Sequence, residues 1–413
     1  MPHRLAPLSL ALILALPPTR ATADDFAVLS RNQVVELALS QNPVVVDSRL
    51  EWEREKAARG GVAGILADNP TLSAEAGRRR DPGFPNPQAS VGARLDQPLD
   101  VFGQAGTRRQ AADDRVAFAK ARFDLARAEI AARALALFVA AQVSESFLAL
   151  RVEQVALAQS SAEALRTRVR LGASSDIDLR LAEAELERAL AAVSEAEWQA
   201  GLARLDLREW LNLPATAGAK PGDPLVLPPP PPVTDNLDES VLRKNLAVAA
   251  VEKRRLAIDS ELDRLKRERL PRIALGVIAE RPNKGETYLG LGLTFSPALW
   301  RRNQGPIAEA KVEQTRSDME RATTLASLER RLMEAGRVHA LRLRELSAID
   351  RAIAHEEAAA ELSRVGFEAG KFDFLRVLFA RRSVSESKQA RLLRWAELWM
   401  NVIEMNRLLG KSP

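Results

Sequence analysis

The side chains that most often carry catalysis or bind metals are scarce in this sequence. None of the 413 residues is cysteine, and His339 and His355 are the histidines that lie beyond the N-terminal segment. They are 16 residues apart on a predicted helix, outside the His-Glu-x-x-His spacing that places two imidazoles on one helix face for zinc. With five methionines and no cysteine, a soft-metal site has almost no ligands. The sequence therefore predicts no enzyme, no resident metal site and no cofactor.

Charged residues occur instead beside two glycines with similar surroundings. Gly172 and Gly370 each end a long run rich in Ala, Leu, Arg and Glu, and a second such run follows each glycine. Glycine favours the positive φ that reverses a chain between packed helices. The pattern predicts two helical hairpin tips. The charged residues that follow these glycines within a few positions are Asp176 and Asp178 after Gly172, and Lys371, Asp373 and Arg376 after Gly370.

Residues 1–23 have the pattern of a secretory signal peptide. Arg4 precedes an apolar stretch from Leu5 to Leu16, and Ala21-Thr22-Ala23 forms a small-residue cleavage site before Asp24. The apolar stretch is too short to span a bilayer, and no later segment offers about 18 consecutive apolar residues, so no transmembrane helix is predicted. Entry into a membrane would therefore require a β-barrel. Interleaved charges and a formal net charge of +5 favour solvated helix surfaces over nucleic-acid binding.

The rest of the chain is predicted to be an internal duplication. Repeat 1 covers residues 24–219 with a β-hairpin at about 71–97, and repeat 2 covers residues 237–413 with a β-hairpin at about 272–296. Between them, residues 220–236 form a proline-rich linker. Five consecutive prolines there can join neither a helix nor a central strand, so an extended, semi-rigid connector is expected.

In each repeat, the spacing of apolar residues changes once, from the two-residue period of a strand to the period of a helix. In YLGLGLTFS, residues 288–296, apolar side chains alternate with glycine and threonine, which is typical of a strand with one apolar face. Residues 107–171 then contain neither glycine nor proline. At 1.5 Å per residue this predicts a helix of roughly 100 Å, and residues 307–369 predict a similar one. Helices of this length imply coiled-coil packing.

Four strands per chain are too few for a closed membrane barrel, since the smallest have eight, and open edges in lipid leave backbone groups unsatisfied. Three copies supply twelve strands. The expected fold class is therefore mostly α with a small β part. Duplicated strand-strand-long-helix-helix repeats would form, as a trimer, a 12-stranded outer-membrane β-barrel and a long periplasmic α-helical barrel.

The order of these elements resembles that of the outer-membrane factor (TolC-like) family over essentially the whole mature chain. The most specific local match is PALWRRNQGPIAEA, residues 297–310, which resembles the strand-to-helix junction of the CzcC-like heavy-metal efflux branch. QPLDVFGQAGTRRQAA, from Gln97, is a looser copy in repeat 1. The resemblance implies a passive homotrimeric duct in the outer membrane with a large periplasmic portion. It implies two protein partners, a periplasmic adaptor (membrane fusion protein) and an inner-membrane pump of the RND type, with heavy-metal cations as one expected cargo.

The resemblance also assigns expected roles to residues at the two tips. The adaptor-contacting residues would be Leu171, Gly172, Ala173, Ala369, Gly370 and Lys371. The candidates for a periplasmic gate are Asp176, Asp178, Asp373, Arg376 and Phe379. Better-known family members have aspartates six and nine residues after the second tip glycine, where this chain has Arg376 and Phe379, so an acidic cation-binding ring is not expected. Arg376 could pair with Asp176 or Asp178 of a neighbouring helix, or be an ordinary exposed arginine.

An alternative class of protein, a soluble periplasmic coiled-coil adaptor or scaffold, would also explain the helices and the signal peptide. It would not explain two strand pairs with alternating faces at corresponding points of both repeats. Cell fractionation separates the two hypotheses, since a duct is recovered in the outer membrane and requires detergent.

Overall fold

A computed structural model describes residues 28–62, 64, 66, 68–80, 83, 86–230, 242, 244–281, 286–300 and 302–410. The signal-peptide prediction for residues 1–23 and the linker residues 231–236 lie outside the described residues. The helices are α1 (Arg31–Gln41), α2 (Pro43–Gly60), α3 (Gln104–Arg170), α4 (Asp176–Trp210), α5 (Leu246–Arg267), α6 (Gln304–Glu368) and α7 (Phe374–Leu408). The strands are β1 (Val28–Leu29), β2 (Thr71–Arg79), β3 (Gln88–Leu99), β4 (Lys220–Pro221), β5 (Arg272–Arg281) and β6 (Tyr288–Ser296).

Two very long helices dominate the molecule, α3 with 67 residues and α6 with 65. Shorter helices pack along each of them. Helices α2 and α4 lie on α3, and α5 and α7 lie on α6. Helix α3 also contacts α5 and α7 of the second repeat, so the two repeats form one bundle. The expected mostly helical chain with a small sheet part is confirmed.

The main sheet has the strand order β2-β3-β5-β6, and all of its neighbours are antiparallel. The hairpins of the two repeats are joined by the pairing of β3 with β5. Their register places apolar residues on one face, such as Leu95 opposite Val277 and Val277 opposite Leu291. Apart from Ile278, small or polar residues predominate on the other face, where Asp96 lies opposite Gly276 and Gly276 opposite Gly292. Strands β2 and β6 are the open edges.

The best-packed part of the bundle lies midway along α3. Ile130, Ala134 and Phe138 of α3 pack with α1 and the C-terminal end of α4. A neighbouring stripe of α3 packs against Trp399 and Ile403 of α7. By length and composition alone, an 18-residue window of α3 is apolar enough to cross a membrane, with a mean hydropathy of 1.5. Of that window, 33% is buried inside the chain.

The first part of the proline-rich connector is bound to this bundle. Strand β4 pairs in parallel with β1, and the backbone N–H of Gly222 donates to the Leu29 carbonyl over 2.8 Å. Asp223 accepts a hydrogen bond from the backbone N–H of Arg31 at 2.7 Å, and the indole N–H of Trp399 donates to the Val226 carbonyl at 2.6 Å. The described part of the connector is therefore docked on the helices of both repeats.

Candidate functional site

The tip of the first helical hairpin is closed by a Schellman motif at the end of α3. Gly172 has a φ of +71°, a conformation that costs a residue with a side chain about 1–2 kcal/mol. Its N–H donates to the Val169 carbonyl at 2.9 Å, and the Ala173 N–H donates to the Arg168 carbonyl at 2.8 Å. These two bonds satisfy carbonyls that the helix end would leave without partners.

The second tip repeats this geometry at the end of α6. Gly370 has a φ of +72°, and its N–H donates to the Phe367 carbonyl at 3.0 Å. The Lys371 N–H donates to the Gly366 carbonyl at 2.8 Å. The two tips are thus built alike although about 200 residues separate them in sequence.

The helix that follows each tip begins with a side-chain cap. Ser175 caps α4 in a reciprocal capping box, in which its hydroxyl accepts from the Asp178 N–H at 3.2 Å and the Asp178 carboxylate accepts from the Ser175 N–H. Asp373 caps α7 by accepting from the Arg376 N–H at 3.1 Å. Such caps are worth roughly 1 kcal/mol. Asp178 and Asp373 therefore stabilise the chain reversals themselves.

The two tips of one chain lie side by side and share a small apolar core. Leu165 of α3 and Ala182 of α4 pack with Phe374 and Val377 of α7. Arg168 links the tips further, because its guanidinium lies 4.6 Å from the centroid of the Phe367 ring and donates to the Phe367 carbonyl at 3.1 Å. The two tips of one chain are therefore in direct contact.

Three residues of this site were missed by the sequence-based reasoning: Arg168, Gly366 and Phe372. A Cβ atom at Gly366 would clash with the Phe372 ring, so the absence of a side chain there makes room for that ring. The guanidinium of Arg376 lies over the Phe372 ring, 4.5 Å from its centroid. The glycine at position 366 is visible in the sequence, but its ring partner is found only in three dimensions.

The structure places the predicted site residues at the exposed end of the bundle. Leu171 is 76% exposed and Phe379 is 65% exposed, which is high for apolar side chains. All six residues expected to contact an adaptor are exposed. Among the described residues, Arg376 forms no ion pair with Asp176 or Asp178, and its guanidinium contacts Phe372. Pairing across copies of the chain stays a prediction.

A groove of about 790 Å³ lies just behind the tips, between α3, α4, α6 and α7. Two arginines of α7 bridge it. The Arg382 guanidinium pairs with the Glu185 carboxylate of α4, which raises the pKa of Arg382. Arg381 donates to the Ser161 hydroxyl of α3, and burial lowers the pKa of Arg381 from its ordinary value. The groove is thus crossed by polar links rather than by continuous apolar packing.

The arrangement at the tips offers helix caps and exposed side chains. Within the described part of the chain, no group of three or more His, Asp or Glu side chains is arranged to hold a metal ion. The polar links across the groove join arginines to carboxylate, hydroxyl and amide groups, whose chemistry is that of helix–helix contact.

Comparison with known proteins identifies the architecture. Residues 34–213 match the family model described as outer membrane efflux protein. The chain is 24% identical over 330 residues to the cobalt-zinc-cadmium resistance protein CzcC of Cupriavidus metallidurans, an alignment that covers 77% of each chain.

Solved structures extend this similarity to nearly the whole fold. The structure of CusC superposes with a TM-score of 0.73 at 15% identity, covering 96% of each chain. The outer membrane channel CmeC of Campylobacter jejuni superposes with a TM-score of 0.75 at 14% identity, covering 92% of this chain and 85% of that one. Residues 34–213 therefore match the family of outer membrane efflux proteins, and the chain as a whole has the fold of these solved channels.

Proposed function

We propose that three copies of this chain form a closed duct through which an efflux system exports its cargo across the outer membrane. The observation that carries the proposal is the four-stranded sheet, which combines one apolar face with two open edges. On the apolar face, Leu289, Leu291 and Leu293 are each at least 70% exposed. Water would not favour such a surface, whereas lipid would.

The open edges argue for assembly of several copies. Strands β2 and β6 have no further neighbour in the described chain, and unsatisfied backbone groups in hydrocarbon cost several kcal/mol each. Pairing β2 of one copy with β6 of the next satisfies both edges. Two copies would give the eight strands of the smallest known barrels, while three give the twelve of a wider lumen. The solved relatives have the same chain fold, which supports the proposed assembly.

The tips are the proposed contact for a periplasmic adaptor, which would in turn join the duct to an inner-membrane pump of the RND type. Leu171, Gly172, Ala173, Ala369, Gly370 and Lys371 form this contact. Leu171 supports the assignment because its side chain is apolar and 76% exposed. A tip that bound no other protein would not require an apolar side chain at this position. The alternative of a soluble adaptor is disfavoured by the apolar sheet face.

The proposed periplasmic gate comprises Asp176, Asp178, Asp373, Arg376 and Phe379. Their proposed roles differ from that of an acidic, cation-binding ring. Asp178 and Asp373 cap helices, and the Arg376 guanidinium contacts the Phe372 ring. The exposed Phe379, one turn beyond Arg376 on α7, is the residue best placed to contact a neighbouring copy. An apolar constriction is therefore proposed in place of an acidic ring.

The proposed cargo is heavy-metal cations. The support is the relative named cobalt-zinc-cadmium resistance protein and the sequence of the strand-to-helix junction, residues 297–310. Selection among cations would then be made by the pump, and the duct would supply passage.

The proposal is tested by purifying the mature chain from outer membranes and measuring its assembly and conductance. We expect a detergent-requiring trimer that conducts ions in planar bilayers. Since the chain contains no cysteine, single Leu171→Cys and Lys371→Cys variants allow site-directed cross-linking to a co-expressed adaptor. Leu157→Cys, behind the tips and 44% exposed, is the control that should not cross-link. Recovery of a soluble monomer would contradict the duct.

A further inference from the structure

The two faces of the main sheet differ in charge as well as in polarity. Every described strand carboxylate, namely Glu75, Asp96 and Glu280, shares the face of Gly92 and Gly276 in the strand register. On the apolar face of the same four strands, the described charged residues are Arg78 and Arg281. Positive charge is therefore placed alone on the side proposed to face lipid.

Both arginines lie at the same end of the sheet. Arg78 pairs in register with Ala89 of β3, and Arg281 pairs with Val91 of β3, two residues along the same face. They flank β3 from opposite sides, about 10 Å apart across the strands at a spacing of about 4.8 Å per strand. Both side chains are exposed, and neither forms an ion pair with a described residue. Among the described strand residues, no carboxylate shares that face with them.

This end of the sheet is the one that bears the hairpin loops. Helices α3 and α6 leave the opposite end, where the exposed aromatic residues Phe295 and Trp300 lie. From Ile273 to Arg281, β5 extends about 26 Å along the strand at roughly 3.3 Å per residue. A barrel strand tilted by about 40° would convert this length to a height of about 20 Å, just within the apolar band of about 25 Å in outer-membrane barrels. Arginine side chains at that height can extend to the head-group region while their aliphatic parts remain in the apolar layer.

We propose that Arg78 and Arg281 form a binding site for the phosphate groups of anionic lipid in the outer leaflet. Guanidinium groups match phosphate oxygens in charge and geometry. The sheet supplies the apolar wall that acyl chains contact below them. This inference rests on the proposed barrel, because only there does the apolar face meet lipid.

The test compares an Arg78→Gln/Arg281→Gln double variant with the wild-type chain in phosphatidylcholine vesicles containing a minor fraction of spin-labelled lipid. The label is carried either by phosphatidylglycerol or by phosphatidylcholine. We expect the wild-type trimer to prefer the anionic lipid and the double variant to lose that preference, by up to about fivefold per arginine. Arg281→Lys, which keeps the charge, should retain part of the preference.

An Arg337→Gln/Arg351→Gln double variant is the matched control, since both residues are exposed on α6 and remote from the sheet. It should retain the wild-type preference. Trimer formation and ion conductance are measured on every variant, and the two single variants replace the double variant if it does not assemble. If the wild-type chain formed no trimer and did not conduct ions, the proposed duct would be refuted. A conducting double-variant trimer with an unchanged lipid preference would overturn only the lipid site.

Discussion

At the level of single residues, the two tip glycines share one backbone conformation that residues with a side chain rarely adopt. Gly172 and Gly370 both adopt the left-handed conformation, with φ of +71° and +72°. Open space surrounds both, since a Cβ atom at either would meet no atom within 4 Å. Backbone strain, rather than a clash, therefore determines the cost of a side chain there.

This reasoning predicts that Gly370→Ala destabilises the chain by about 1–2 kcal/mol, the strain of a left-handed alanine. Gly106→Ala is the control, because Gly106 lies in the first turn of α3 with no atom near its Cβ position and no positive φ. That change should stabilise the chain by about 0.5–1 kcal/mol, as alanine favours the helix. Denaturant unfolding followed by far-UV circular dichroism checks both values. Equal effects at the two positions would contradict the argument.

A second residue-scale prediction concerns His339, which is 6% exposed where α6 faces α7. Burial lowers the pKa of His339 below its ordinary value of 6.5, and the nearby Asn401 side chain acts in the opposite direction to a smaller extent. The unfolded chain therefore binds the proton at higher pH than the folded chain. Stability from this site is complete above about pH 6.5 and is lost as the pH falls through the lower, folded pKa.

We therefore expect His339→Gln to unfold with a weaker acid dependence than the wild-type chain between pH 7.5 and pH 5. Thermal unfolding midpoints across this range give the measurement. His355→Gln is the control, since His355 is exposed on the same helix, and it should keep the wild-type pH response. An undiminished acid dependence in His339→Gln would show that other groups cause it.

At the scale of elements, much was predictable where a local pattern decides the structure. The two-residue alternation from Leu289 to Phe295 predicts a strand, and β6 covers it. The glycine turns predict the ends of α3 and α6, because a positive φ is a local property. Neither hairpin sequence indicates that β3 pairs with β5. Likewise, the contact of Arg168 with Phe367 joins segments about 200 residues apart, which no local pattern reveals.

The connector between the repeats illustrates the same limit. Its prolines predict an extended segment, but its docking depends on groups distributed over the chain. Trp399 of α7 donates to the Val226 carbonyl at 2.6 Å, and the Arg31 guanidinium lies 4.2 Å from the centroid of the Trp399 ring. Trp399 therefore fixes the connector and the start of α1 to the same place on α7.

The element-scale prediction is that Trp399→Phe loosens this docking while leaving the bundle intact. Phenylalanine keeps an aromatic ring for Arg31 but cannot donate to Val226, and loss of a buried hydrogen bond costs about 1 kcal/mol. Limited proteolysis within residues 220–230 should then become about fivefold faster, provided that cleavage follows local opening. Trp198→Phe is the control, since Trp198 is 57% exposed on α4. Equal cleavage rates in both variants would contradict a role for the Trp399 hydrogen bond.

At the scale of the whole molecule, one property separates a lipid-embedded duct from a soluble helical scaffold. In a duct, the sheet tolerates charge along its polar face, whereas a charge at the middle of its apolar face is costly. Leu291 lies midway along β6 on the apolar face and is 77% exposed. Ser73 lies on β2 and is also exposed, but its position in the register belongs to the polar face. If the sheet were solvated on both sides, a charge at either position would have little effect.

We predict that Leu291→Arg lowers the stability of the assembled protein in bilayers by about 2–4 kcal/mol, the cost of arginine at the midplane of a membrane barrel. Ser73→Arg should cost far less, because its side chain would face the water-filled interior. The measurement is the amount of trimer recovered from outer membranes, together with its unfolding by denaturant in vesicles. Similar trimer yields for the two variants would mean that the apolar face does not meet lipid, and the duct would then have to be abandoned for a soluble assembly.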